Sequence, residues 1–169
     1  MKSPRLLLPL AILAVLWLSF ASYVWFTTPQ LPERLATHFA LGGKPDGWMS
    51  RESHLRLMLI MGTAVPALIL GLFALIRRFN GWGLNIPNKD HWLAPERREE
   101  TLNYVQRQGF WTAGLLLAFF AGIHHSILAA NASSPVVLPM SNFAWVVGIF
   151  AALNIIGTVI FTRHFRKPA

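Results

Sequence analysis

Proton transfer and metal binding call for imidazoles and carboxylates, and this 169-residue chain has only six histidines and seven acidic residues. Among them, His38, Asp46, Glu52 and His54 fall in one short connector, while His124 and His125 end a later apolar run that returns to the same side. Imidazole and carboxylate suit zinc or another divalent metal, so His38, His54 and His125 with one carboxylate form the candidate metal set. That is the one cofactor site the sequence suggests. His125 stands three residues after Gly122, on a face of recurring small residues, and is therefore expected to point toward the bundle rather than toward lipid. No His-Glu-x-x-His spacing is present, and no serine sits in a nucleophile-elbow pattern. Zero cysteines exclude disulfides, thiolate metal sites and a cysteine nucleophile.

Two connectors carry pattern. The first, 27–54, contains Gly42-Gly43-Lys44-Pro45-Asp46-Gly47-Trp48. Glycine supplies positive φ and Pro-Asp-Gly favours a turn, so a short hairpin or re-entrant loop is expected, with Trp48 and Met49 at the membrane interface. His38, Gly43, Asp46, Gly47 and Trp48 are its candidate ligand-binding residues, although folding alone would account for such residues. The second, 77–108, contains Asn85-Ile86-Pro87-Asn88-Lys89-Asp90-His91-Trp92 followed by Pro95-Glu96-Arg97-Arg98-Glu99-Glu100. Proline suits a first helical position and acids suit the positive end of a helix dipole. The pattern therefore predicts an interfacial surface helix, held to the bilayer by Trp92, Leu93, Leu102 and Val105. Asn88, Asp90, Trp92 and Arg97 are candidates for docking a cytoplasmic protein.

Four apolar runs must position these connectors. They cover about 6–26, 55–76, 109–130 and 143–161, near the ~20 residues needed to cross a bilayer. With 54% hydrophobic residues, 13% charged and a mean hydropathy of +0.45, the chain reads as an all-α membrane protein, one transmembrane domain over 1–169. Ser19-Phe20-Ala21 resembles a signal-peptide cleavage site, but the apolar run outlasts a usual h-region and continues through Tyr23, Trp25 and Phe26, so the segment is expected to stay as an anchor. Eleven Lys and Arg lie in the two ends and the 77–108 connector, Lys2, Arg5 and Lys167 among them, against four (Arg34, Lys44, Arg51 and Arg56) in or just past 27–54. Both termini are therefore expected in the cytoplasm, with 27–54 outside. The net charge of +8 fits this topology and attraction to anionic headgroups better than nucleic-acid binding.

Gly114, Ala118 and Gly122 recur every four residues in the third run, as do Ala144, Gly148 and Ala152 in the fourth, so those two helices are expected to touch. Gly62, Pro66 and Gly71 suggest a kink in the second. Asn154, near mid-span, needs a partner inside the bundle. Asn131-Ala132-Ser133 fits the glycosylation tripeptide, a weak match.

The stretch from Leu31-Pro32 through His38-Phe39, then Gly43, Pro45-Asp46-Gly47-Trp48 and Ser50-Arg51, resembles the loop of a bacterial membrane family known as domain of unknown function 1648. The segment Asn85 to Trp92 resembles one that recurs there and in the related SdpI immunity proteins; where His91 stands here, those relatives often have Tyr. The resemblance implies a bacterial inner-membrane protein of binding, immunity or signalling type, with a peptide ligand outside and a protein partner inside. A metal-dependent membrane enzyme using the outer histidines and a small transporter subunit stay as alternatives. Lipids and a second copy of the chain complete the expected partners.

Overall fold

The computed structural model describes residues 6–166; Lys2, Arg5 and Lys167 of the charge count lie outside them. In order, the elements are α1 (Leu7–Thr27), a 3-10 turn (Thr28–Gln30), β1 (Arg34–Phe39), β2 (Pro45–Ser50), α2 (Arg51–Arg78), one helical turn α3 (Lys89–Trp92), α4 (Arg98–Asn131) and α5 (Met140–Arg166). The four long helices are each long and apolar enough to cross a membrane. One end of the bundle carries the β1–β2 hairpin and the other carries the elbow around α3.

Local chemistry sets the helix ends. Ser50 caps α2 by accepting from the Ser53 amide at 3.1 Å, and Glu52 in the first turn and Arg77 and Arg78 in the last complement the dipole. Pro66 is buried inside α2, which runs unbroken past it. The separate surface helix expected after Pro95 is instead the first turns of α4, whose 34 residues span about 51 Å, more than a bilayer core requires. Nothing between Arg98 and Gly109 breaks the helix, and Gly109 packs against Phe73 of α2. Leu102 and Val105, expected to face lipid, are buried; Val105 packs with Leu84, Ile86 and Phe165.

α4 is the hub, touching α1, α2 and α5. Ala113 and Leu117 pack with Leu13, Phe20 and Val24 of α1 and Met58 of α2, and the Phe20 ring fills the space a side chain at Gly62 would need. α4 and α5 touch, but not through facing small residues. Gly122 receives Val146, and Phe119 stacks on Phe150 at 4.4 Å between centroids. A Cβ on Gly148 would meet nothing within 4 Å, and with Ala144 and Ala152 this glycine lines an open groove on α5. Of the α4 stripe only Gly122 meets α5, Gly114 approaching Leu16 of α1 and Ala118 being exposed; on α5 the small-residue face points away.

Candidate functional site

The hairpin is antiparallel, pairing Arg34 with Ser50, Ala36 with Trp48 and Phe39 with Pro45, with irregularities on either side of His38. Its turn uses Gly42 at φ +90° and Gly43 at φ +80°. A Cβ on Gly43 would stand 2.5 Å from the Leu138 carbonyl oxygen, and Leu138 N–H donates to the Gly43 carbonyl at 2.9 Å. A Cβ on Gly47 would stand 2.7 Å from that of His38. Both glycines, expected to bind a ligand, thus have conformational and packing work.

The clamp on this hairpin is Asn131, the last residue of α4. Its Oδ1 accepts from Ala36 N–H at 2.9 Å and its Nδ2 donates to Ala36 C=O at 2.9 Å, so one side-chain amide pairs with the fully buried Ala36 as a neighbouring strand would. Nδ2 also donates to Ile127 C=O. The amide nitrogen of the glycosylation tripeptide is therefore engaged in the fold. Arg51 adds a second tie, donating from Nη1 to Leu31 C=O at 3.0 Å and from its backbone N–H to Glu33 C=O at 2.9 Å.

Because both polar groups of Ala36 point away from β2, the Ala36–Trp48 pair is the non-hydrogen-bonded kind, and the N–H and C=O of Trp48 point out of the opposite edge. The Trp48 residue is 45% exposed. His38 Nδ1 lies 2.5 Å from Asp46 Oδ1 across the strands, an exposed imidazole–carboxylate pair. Asp46, His38 and Trp48 are thus presented to solvent on a fastened scaffold.

Below the hairpin lies a buried polar seam. His54 of α2 and His124 of α4 are essentially without exposure and share a hydrogen bond, Nε2 to Nδ1, at 2.9 Å. His124 Nε2 lies 2.8 Å from Thr27 Oγ1. Thr27 spends its only hydroxyl proton on Tyr23 C=O at 2.6 Å, so it accepts from His124; with neutral rings, His124 Nδ1 then accepts from His54. This leaves His54 Nδ1 a buried acceptor with no partner among the described residues. Tyr23 packs edge-on against His124 at 5.3 Å, and its hydroxyl lies 3.1 Å from His125 Nδ1. His125 itself is exposed, beside a cleft of about 430 Å³ lined by Tyr23, Gln30, Leu31 and Asn131.

The expected trio of His38, His54 and His125 therefore goes to three different partners: Asp46, His124 and Tyr23. Among the described residues no group of three or more His, Asp or Glu could hold a metal ion. The expectation that His125 points into the bundle is corrected: it is exposed, and its neighbour His124 is the buried imidazole. Leu117, His124 and Asn131 recur every seven residues on α4, the face that carries the core, the imidazole pair and the hairpin clamp. That stripe is the signal in the sequence that points to His124 and Asn131; Thr27 and Tyr23, one turn apart on α1, have no comparable one.

At the elbow, Asn88 sits in the left-handed region at φ 53° and donates from Nδ2 to the carbonyls of Phe165 and Arg166 at 3.1 and 3.2 Å. Trp92 Nε1 donates to Phe165 C=O at 3.0 Å, and Thr101 donates to Trp92 C=O at 2.8 Å. Asn88 and Trp92, expected to dock a partner, instead cap the carbonyl end of α5 and enclose Phe165. Asp90 is exposed and Arg97 half-buried.

A family model described as Domain of unknown function (DUF1648) matches residues 6–62, which span α1, the hairpin and the first part of α2. An uncharacterized protein of Archaeoglobus fulgidus is 33% identical over 154 residues, an alignment that takes in 86% of this chain and 79% of the archaeal one. No solved structure matches. With that extent of similarity on top of the matched segment, the chain belongs to the family of the archaeal protein and carries the domain of unknown function DUF1648.

Proposed function

We propose that this chain is a multi-pass membrane protein that binds a ligand on its hairpin end, and that the ligand is an extended peptide. The orientation follows the basic residues, whose excess at the elbow and the chain ends argues for those in the cytoplasm and the hairpin outside. The observation that carries the reading is the asymmetry of the hairpin. Asn131 occupies the β1 edge as a strand would, while the β2 edge offers the N–H and C=O of Trp48 beside an exposed indole and the His38–Asp46 pair. An open strand edge gives main-chain pairing, and neighbouring side chains give selectivity. The resemblance to SdpI-type immunity proteins supports a membrane-active peptide as the ligand class.

The test compares cells that lack the protein with cells making it as wild type, Asp46→Ala or Trp48→Ala, each challenged with membrane-active peptides. Wild type raises survival and Trp48→Ala loses most of the gain. A deletion strain that survives as well as its parent against every peptide removes immunity as the function. On the cytoplasmic side, Asp90 and Arg97 are the residues left for a signalling partner, since Asn88 and Trp92 are engaged with α5.

A further inference from the structure

Polar side chains inside an apolar bundle need partners, because hydrocarbon supplies none. Asn154 of α5, expected to bond across the bundle, donates instead from Nδ2 at 2.8 Å to Phe150 C=O of its own helix. Its carbonyl oxygen and second amide hydrogen remain for something else. They open on a cleft of about 220 Å³ between α4 and α5, where Gln108, Thr112 and Thr158 also converge and Gly157 leaves room. The cleft faces the lipid: Trp111 on its wall is 69% exposed and Leu153 is 43% exposed.

Next to the lining residue Gln108, on its elbow side, the chain carries a cation. Arg107 is one turn before Trp111 on α4, and its guanidinium lies 5.8 Å from the Tyr104 ring centroid. Tyr104 stacks on Phe161, which lines the cleft, and on His164, at 6.0 and 4.0 Å. Arg107 is exposed, and none of the ion pairs among the described residues includes it. The carboxylates of α4, Glu99 and Glu100, lie about two turns back, and Glu99 is engaged with Arg77 at 2.7 Å.

We propose that this cleft is a binding site for an anionic glycerophospholipid of the leaflet at the elbow end. The phosphate meets Arg107, with Gln108 beside it, the ester carbonyls accept from the Thr112 and Thr158 hydroxyls about one turn deeper, and an acyl chain follows the groove between α4 and α5 toward Asn154. A basic group at the mouth of an interhelical pocket suits an anionic headgroup, and hydrogen-bond donors at ester depth suit the glycerol linkage. Neither group has that use in a plain helix contact.

The test is native mass spectrometry of the detergent-solubilised chain titrated with phosphatidylglycerol, phosphatidylcholine and glycerol 3-phosphate. Wild type binds phosphatidylglycerol more tightly than phosphatidylcholine and retains no glycerol 3-phosphate. Arg107→Gln weakens phosphatidylglycerol roughly fivefold and brings it to the phosphatidylcholine level, as loss of one interfacial cation requires. Thr112→Val weakens both lipids alike, while Arg56→Gln at the hairpin end changes neither. Wild type without preference for the anionic lipid, or unaltered lipid binding in both cleft variants, overturns the proposal. So does glycerol 3-phosphate competing as well as the lipid, which makes the site one for a soluble phosphate. Wild-type selectivity stands as a readout even if a variant fails to fold.

Discussion

The two ends of the bundle solve one problem with the same residue type and leave opposite surfaces behind. At the hairpin end, Asn131 pairs its amide with both backbone groups of Ala36; at the elbow, Asn88 donates to the last carbonyls of α5. Asn131 satisfies backbone that buried Ala36 cannot leave unpaired, and Asn88 does the same for buried Phe165 while also capping the exposed Arg166 carbonyl. At the elbow, the rest of the patterned segment is drawn into the same task, with Trp92 bonded to Phe165 and Thr101 to Trp92. At the hairpin, the clamp comes from a distant helix, so the hairpin's own His38, Asp46 and Trp48 stay free of that work. A dense sequence motif can therefore be spent largely on the fold, while exposed chemistry sits where another element carries the load.

The largest test of the comparison is Asn131→Leu. It leaves the N–H and C=O of buried Ala36 without partners, an expected loss of about 2–4 kcal/mol seen as a lower unfolding temperature in detergent, with new protease cleavage confined to 34–50. Unchanged cleavage there would mean that the clamp does not hold the hairpin. Next is the pair Gly43→Ala and Gly42→Ala. Both residues have positive φ, which costs a Cβ about 1–2 kcal/mol, but only Gly43 also presses on Leu138. Gly43→Ala is expected to cost at least about 1 kcal/mol more than Gly42→Ala, and that surplus measures the docking of the turn onto the loop before α5.

Asn88→Ala removes the donor that caps α5 and is expected to cost about 1 kcal/mol, read as faster hydrogen exchange in the last turn of α5 with the hairpin amides unchanged. Exchange that rises at both ends alike would show the two clamps to be coupled. The smallest effect belongs to His38→Ala, whose exposed pair with Asp46 is worth within about 0.5 kcal/mol to the fold. If His38 serves a ligand, this variant loses binding with its unfolding temperature kept, the reverse of the outcome for Asn88→Ala.

Much of the architecture is legible in the residues alone. Apolar runs near spanning length, with charges confined between them, favour helices long enough to cross a bilayer, and the two glycines mark the hairpin turn, whereas Pro-Asp-Gly, expected to form it, opens β2 instead. The candidate site is less legible, for a definite reason. Gly122 orients α4 by its small size, but the face it marks receives Val146 of α5, whereas the seam with α1 and α2 runs through Ala113, Leu117 and His124. An uncharged helix face in lipid has no polar side to betray which stripe is inward, so two small-residue faces are equal candidates until the neighbours are known.

Composition and periodicity by themselves determined that the chain has four helices able to cross a membrane, with patterned connectors at both ends, because burying such apolar runs in lipid outweighs other arrangements. Only the tertiary structure decided which polar groups are spent. Residues far apart in the chain, Thr27 with His124, Ala36 with Asn131 and Asn88 with Phe165, meet by helix rotation and chain crossing, and pairing over such separations leaves no local spacing to read.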